Sequence, residues 1–487
     1  VLGVALAIRL WNVVTHSYIV WPDETFQYLE PAHRLVFGSG VITWEFLDGI
    51  RSWFLPGILA GLIWLVSRVV PDPAAYVMAA RLLCVAASMA IPFVGYRLAA
   101  RRLGPAAGLL AGLLCALSSE TVYFSPVIMT EPLATDAALL AIWFGDAPAP
   151  SSATRRRLLA AGLLFGLAVS LRWQYAPVLA LAALAQHARR PRELALVAAA
   201  GLAVVVPVLG GLDAITWGVP FQSVWLNYVR NAAQGVSGAM GTEAWFFYPA
   251  YYFVAWGAAA GLLAICALIG MARAPVLAVL AVGTLALHSL APHKELRFVF
   301  LATACMPILI GLGAAGLLRR ISTLRPLRIG APVAGAMALA VSAVTAVATV
   351  RQATPADAWH RTRSLLQATA VARDVPGACG LAIRRARVYE TGGYTYWHRD
   401  APIYFETWEL SQTLENSAFR MRLDSVLDGR AVPQVPADAL AAASDRYNVL
   451  VAPPGDRPAG FTEQACFGTG TKDDKAYCVS ARPGGCR

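Results

Sequence analysis

The chain is 487 residues long, 57% of them hydrophobic and only 14% charged. That is well under the roughly 25% charge usual in soluble domains, and it excludes an ordinary soluble globular protein. The formal charge of +11 comes almost wholly from Arg, since Lys294, Lys472 and Lys475 are the only lysines; the arginines fall between apolar runs and form no dense basic stripe, so they mark membrane topology and not nucleic-acid binding.

In chain order, apolar runs able to cross roughly 30 Å of hydrocarbon are read near 1–20, 76–96, 104–124, 131–146, 158–172, 175–188, 194–215, 251–271, 274–290, 298–318 and 329–350. They predict an all-α polytopic membrane protein of about 11 transmembrane helices. The run at 1–20 is read as a span and not a cleaved leader, because no small-residue cleavage site precedes Trp21. The short runs 158–172 and 175–188 predict a tilted or partly spanning hairpin. Residues 53–70, with Trp53 and Pro56, are expected to lie as a helix in the outer interface.

The connections sort by charge. One set carries Arg97, Arg101 and Arg102; Arg155 to Arg157; Arg189, Arg190 and Arg192; Arg273; and Arg319, Arg320, Arg325 and Arg328. The positive-inside rule makes this set cytoplasmic. The alternating set at 21–75, 120–130, 172–175, 216–250 and 291–297 is then outside, with residues 352–487. Two domains are expected: a transmembrane catalytic domain over 1–351 that includes the outer loop 21–75, and a small mixed α/β extracytoplasmic domain over 352–487. In the latter CGLAI, YTYW, PIYF and YNVLV read as strands. Cys84, Cys115, Cys266 and Cys305 lie in apolar runs as small buried hydrophobes. Cys379, Cys466, Cys478 and Cys486 lie in the tail, where an extracytoplasmic location would permit disulfides. No CxxC pair points to zinc or redox chemistry, and no fixed-period repeat is present.

The outer loops concentrate the polar chemistry. Pro22, Asp23 and Glu24 open the first, and two readings of Asp23 stand: a helix N-cap, or a carboxylate partly shielded at the membrane interface and placed for proton abstraction. Glu30, His33 and Arg34 follow, then Trp44, Glu45, Asp48 and Arg51. The segment APHKELRF at 291–298 groups His293, Lys294, Glu295 and Arg297. It reads either as a solvated, headgroup-contacting loop or as a cationic clamp for phosphate. The aromatic loop 216–250, with Asn227 and Trp245, suits an interfacial belt or sugar and lipid contact. Glu131 and Asp136 at the start of one span, and Arg172 at a hairpin tip, are ionisable groups near spans and hence functional candidates.

The string PDETFQYLEPAHRLVFGSGVITWEF, continuing to GIRS, resembles the first luminal loop of the Alg9-like mannosyltransferases, glycosyltransferase family 22. HKELRF at 293–298 resembles the family's second signature, and NYVRN through GTEAWFFY its Asn…Gly…Trp-Tyr loop. Within the family the pattern is nearest to the glycosylphosphatidylinositol mannosyltransferase 3 type, over about residues 1–310. Trp21 stands where the family has His.

The resemblance implies a GT-C glycosyltransferase fold and an inverting transfer of a hexose, mannose, from a polyprenyl-phosphate-sugar donor to a lipid-linked glycan acceptor. It implies Asp23 as general base, Glu24 as its orienting partner, and His293, Lys294 and Arg297 on the donor phosphate. Glu30, His33, Arg34, Trp44, Glu45, Arg51, Glu131, Arg172, Asn227, Trp245 and Glu295 are the substrate-binding candidates. No metal or other cofactor is implied, although Asp23 and Glu24 leave a divalent cation open. The Arg-rich, Lys-poor composition points to a bacterial plasma membrane with the site on the extracytoplasmic side, or to the endoplasmic reticulum if the source is eukaryotic. The alternative is a glycolipid flippase without transferase activity. Transporters tend to place binding groups near the midplane, whereas these signatures are predicted at one surface.

Overall fold

The computed structural model describes residues 1–15, 21–146, 152–239, 241–324, 330–351, 362–386, 390–406, 434–435, 445–468 and 475–486. Residues 16–20 of the first expected span, Arg325, Arg328 and Lys472 lie outside them. By contact the chain forms two compact units. The first comprises Val1–Thr15, Arg81–Val224 and Asn231–Thr354; the second comprises His16–Ala80, Trp225–Arg230 and Pro355–Arg487.

The first unit is helical. Its helices are apolar on most sides, as backbone that must satisfy its own hydrogen bonds in lipid requires. Among the described residues, four helical stretches are long and apolar enough to cross a bilayer: Pro73–Leu103, which begins in the second unit, Pro191–Trp217, Phe247–Arg273 and Leu296–Arg320. Leu2–Thr15, Pro105–Leu117, Pro275–Ser289 and Ala331–Thr345 are shorter apolar helices of the first unit. The expected runs at 131–146 and 158–172 are helices at Thr130–Gly145 and Ser152–Leu171. The first carries Glu131 and Asp136 and the second Arg155 to Arg157, so length and apolarity by themselves do not mark them as spans. Small residues let the helices meet closely. Gly270 abuts the Leu309 carbonyl and Gly313 the Cys266 carbonyl, so that a Cβ at either would collide with the facing backbone; this is the small-residue contact typical of helices in lipid. Arg9 is fully buried. It donates to Ser88 Oγ (3.1 Å) and to the Ala116 and Cys115 carbonyls, and it faces the buried Asp136 electrostatically.

The second unit joins the first loop to the tail around a six-stranded mixed sheet. The strands are β1 (Leu381–Ile383), β2 (Ile403–Glu406), β3 (Gln434–Val435), β4 (Val449–Ala452), β5 (Thr462–Phe467) and β6 (Tyr477–Ala481). Their order is β3-β2-β1-β4-β6-β5. β3, β2, β1 and β4 run parallel, and β6 is antiparallel to β4 and β5. The central strands β1 (LAI) and β4 (VLVA) are continuous, fully buried apolar runs, as strands covered on both faces should be. One core holds Leu381, Phe405, Val449, Val451, Val479 and Trp397 together with Leu365 of the Arg363–Asp374 helix. Phe26 and Val41 of the first loop lie in that same core.

The loop 21–75 lies in the second unit with the tail, and its Phe26 and Val41 help complete the sheet's core. One expectation is corrected here. YTYW was expected to be a strand, but Gly393–Trp397 is a short helix. Its backbone is held by a carboxylate from the first loop, and Gly393 takes φ +57°, a conformation that favours glycine. CGLAI, PIYF and YNVLV do supply β1, β2 and β4. Residues 53–70 contain the Phe54–Ser67 helix. It buries Leu55, Leu59 and Ile63 and leaves Ile58, Trp64 and Leu65 exposed, the division expected of a helix that meets lipid on one side. Disulfides link Cys379 to Cys486 and Cys466 to Cys478, while Cys84, Cys115, Cys266 and Cys305 are buried free thiols.

Candidate active site

In the second unit, the chain turns helical at Pro22. Asp23 has φ −59° and ψ −33° and its side chain makes no capping bond. A cap residue sits outside the helix with extended backbone, so Asp23 does not cap this helix; the residue is partly exposed. Residues Glu24–Leu29 form a π-helical turn, a form that is frequent at functional sites. Glu24 is buried.

Asp23 lies near enough to Glu45 to act on it electrostatically. Burial pushes the Glu45 carboxyl up; Arg51, 3.9 Å away, opposes this, and Asp23 adds to it. Gln27 Nε2 donates to Glu45 Oε1 at 2.9 Å. Asp23, Glu45, Arg51 and Gln27 are therefore one polar cluster. Gln27 was not singled out from the sequence, where an amide carries no charge pattern. Trp44, half-buried, opens the short helix that carries Glu45. Asn227 Nδ2 donates to the Ile50 carbonyl at 3.4 Å, and Arg230 pairs with Asp48 at 3.1 Å. Residues 225–230 thus brace the turn that holds Arg51.

Glu30, His33 and Arg34 have structural tasks. Glu30 is fully buried and accepts from the Val41 N–H (2.7 Å), the Thr395 N–H (2.6 Å) and Thr395 Oγ1 (2.5 Å). Burial pushes its carboxyl up, and these bonds oppose that. His33 Nδ1 meets the Ser39 carbonyl at 2.5 Å and its Nε2 meets His398 Nδ1 at 2.9 Å. A carbonyl only accepts, so His33 carries its proton on Nδ1 and His398 must donate to Nε2. Burial lowers His33 to about 4, and burial also lowers His398. Arg34 donates to the Gly40 carbonyl at 3.1 Å. Thr395 and His398 lie far along the chain, and no local signal pairs them with the first loop.

In the first unit, HKELRF folds around its own acid. Glu295 accepts from His293 Nε2 (2.9 Å) and from Arg297 Nε (2.8 Å) and Nη2 (3.1 Å). Burial would raise this carboxyl, but Arg297 and His293 outweigh it and hold it at about 2. The bond to Glu295 raises His293, against some burial cost. Lys294 Nζ donates to the Glu243 and Ala291 carbonyls at 2.9 and 2.5 Å, and His293 Nδ1 meets the Gly241 carbonyl at 3.0 Å. Residues 241–243 are thereby tied to the signature. Tyr248, which the sequence did not single out, donates to the Glu295 carbonyl at 3.2 Å. Trp245 is 72% exposed.

Beside it, Arg172 pairs with Glu131 at 3.1 Å, with 9% and 1% of the two side chains exposed. The Arg172 and Arg297 guanidiniums lie 5.3 and 5.1 Å from the Phe298 ring, so one aromatic positions two cations. The result is a rigid group of donors whose arginine forks suit phosphate oxygens. Among the described residues, Glu463, Cys466 and Cys478 are near enough to one another to share a metal ion, but the two cysteines are joined as a disulfide.

The described residues thus hold a braced cationic cluster in the helical unit and an acidic cluster on the loop that packs with the sheet. The chain belongs to the Alg9-like mannosyltransferase family, whose pattern matches residues 1–394. It is 27% identical over 317 residues to GPI mannosyltransferase 3 of Yarrowia lipolytica, covering 62% of this chain and 59% of that protein. It is 28% identical over 344 residues to GPI mannosyltransferase 3 of Trypanosoma brucei brucei, covering 60% and 61%. The chain thus spans about six tenths of the length of these relatives. In fold it is similar to ArnT from Cupriavidus metallidurans bound to undecaprenyl phosphate (TM-score 0.59, 16% identity, 98% of this chain and 96% of that one). It is also similar to the archaeal oligosaccharyltransferase AglB from Archaeoglobus fulgidus (TM-score 0.51, 14% identity, 93% and 69%).

Proposed function

We propose that this protein moves mannose from a polyprenyl-phosphate-mannose donor to a hydroxyl of a lipid-linked glycan, with inversion, at the extracytoplasmic face of a bacterial plasma membrane. The observation that carries the reading is the pre-organised cation group at 293–297, in a chain of a mannosyltransferase family. The two tail disulfides support the oxidising side, and the undecaprenyl phosphate bound by the similar ArnT supports a lipid phosphate.

In this reading Asp23 accepts the proton of the acceptor hydroxyl while its oxygen forms the new bond to the anomeric carbon. The bond from that carbon to the phosphate oxygen breaks, and its electron pair leaves with the lipid phosphate. The donor is a phosphodiester with one negative charge, and the leaving lipid monophosphate carries a second. Arg297, His293 and Arg172 therefore interact more strongly with the transition state than with the bound donor, which is the condition for acceleration. Glu295 fixes two of these groups before the donor arrives, and Lys294 holds the loop that carries them. Glu24 orients Asp23, and the reaction runs without a metal.

The test is transfer of radiolabelled mannose by purified protein in detergent. Asp23→Asn is expected to stay folded and to lose transfer about 100- to 10,000-fold. Wild-type rates from that variant would overturn the base assignment, and translocation of glycolipid without a new glycosidic bond would overturn the enzyme reading. Undiminished transfer in excess chelator is the result expected if no metal takes part.

A further inference from the structure

A second group of arginines lies at the other end of the Thr130–Gly145 helix. That helix begins with Glu131, the partner of Arg172, and its last turn carries Trp143. The 14 steps from residue 131 to residue 145 separate its two ends by about 21 Å at 1.5 Å per residue. At the Trp143 end a cavity of about 440 Å³ is lined by Tyr96, Arg97, Ala100, Arg101, Trp143 and Arg157. We propose that this cavity binds a phosphate group, as presented by the headgroup of an anionic membrane lipid.

Three guanidiniums line the cavity and no carboxylate does. Arg157 is locked in place: it donates to the Trp143 and Phe144 carbonyls at 2.7 and 3.3 Å, satisfying the helix C-terminus, and its guanidinium lies 4.8 Å from the Trp143 ring. Arg97 approaches the same ring at 6.0 Å. The acid nearby is Asp146, which pairs with Arg101 (3.4 Å) and Arg102 (3.7 Å). Arg97, Arg101, Arg102 and Arg157 against Asp146 leave a charge of 4 − 1 = +3. The chain from Ala147 to Thr154 supplies no further acid, and Arg155 and Arg156 follow it. Arg97 is exposed and has no ion pair among the described residues. A phosphate would supply the missing charge through the arginine forks. Trp143 offers an apolar wall with a polar edge, the side chain suited to the boundary between headgroup and acyl chain. Arginines that served topology alone would need only to lie on this face; here they converge on one cavity around one indole.

The test is native mass spectrometry of the full chain with phosphatidylglycerol or phosphatidylcholine, and with inorganic phosphate as competitor. Wild type is expected to retain phosphatidylglycerol in preference to phosphatidylcholine. Arg97→Gln should weaken that retention about 10- to 100-fold, one charge-assisted contact's worth, and Arg97→Lys should restore part of it. Ala100→Phe, which keeps every charge and fills the cavity, should weaken it as much. Arg155→Gln, which removes an exposed charge that does not line the cavity, should leave it unchanged. Competition by millimolar phosphate would show that the phosphate group alone suffices; retention despite it would assign the site to the lipid form. Equal losses in Arg97→Gln and Arg155→Gln, no effect of Ala100→Phe, or no preference between the two lipids would each overturn the proposal.

Discussion

The two signature segments solve opposite problems. The charges of HKELRF are balanced locally, with Glu295 clamped by residues two positions to either side, while Lys294 and His293 also reach the Glu243 and Gly241 carbonyls of the preceding loop. The first loop is held from a distance: Glu30 is bound by Thr395 and His33 by His398, each 365 residues along the chain. In the proposed reaction the cation cluster faces a phosphate and needs its own counter-ion close by, or its charges would repel one another. The acidic loop would meet a hydroxyl and needs mainly to be kept from moving. The first task can be done locally, and the second borrows a separate sheet.

The comparison is broken most severely by Arg297→Leu. Glu295 would keep His293 alone as partner in a mostly buried position. Transfer should fall at least about 100-fold, and the helical unit should lose about 2–3 kcal/mol, read by transfer assay and thermal unfolding in detergent. Glu30→Ala should cost the second unit about 2–3 kcal/mol by stranding the Val41 and Thr395 N–H groups. Hydrogen exchange should quicken at 41 and 395 and stay unchanged across 293–298. Gly393→Ala should cost about 1–2 kcal/mol, because the residue is left-handed and a Cβ would meet the Glu30 carboxylate; the same exchange measurement reads it.

Acidity should separate the regions more gently. His33 is lowered to about 4 from 6.5, so the unfolded chain binds the extra proton first. The stability this neutral ring confers is present above pH 6.5 and is lost as pH falls towards 4. Glu295, held at about 2 from 4.5, keeps its contribution above pH 4.5 and loses it only as pH falls towards 2. Between pH 6.5 and 4.5 the His33 contribution to the second unit should weaken while the 293–298 cluster does not, and His33→Gln should remove that part of the pH dependence in exchange measurements at 33–41. The smallest effect is expected from Asp48→Asn, which removes an exposed partner of Arg230 and should cost under about 1 kcal/mol by thermal unfolding.

Much of this was legible in the sequence where the signal is local. Apolar runs at 251–271 and 298–318 became helices because period and length are properties of neighbouring residues. CGLAI and YNVLV became strands for the same reason. Local pattern failed where the partner was remote. YTYW has strand composition, yet Glu30 captures Thr395 and bends the segment into a helix. Glu30, His33 and Arg34 stand out in the sequence because they are polar in an apolar chain, and the bonds that fasten them to Thr395, His398 and Gly40 carry no local signal. The two carbonyls on which the Lys294 ammonium rests were not legible in the sequence. Asp23 was left between cap and base by the sequence, and its helical backbone removes the first of these.

The interlock of Glu30 with Thr395 also imposes an order in time. The first loop leaves the ribosome early, but Leu365, Phe405 and Val449, which enclose its Phe26 and Val41, come hundreds of residues later. At roughly 5–20 residues per second, the loop waits on the order of 20–70 s with two apolar side chains and a buried-to-be carboxylate uncovered. A chain stopped short of residue 395 would carry both signature motifs and still leave the first of them unclasped. Completion of synthesis is in this sense the last step in assembling the acidic segment.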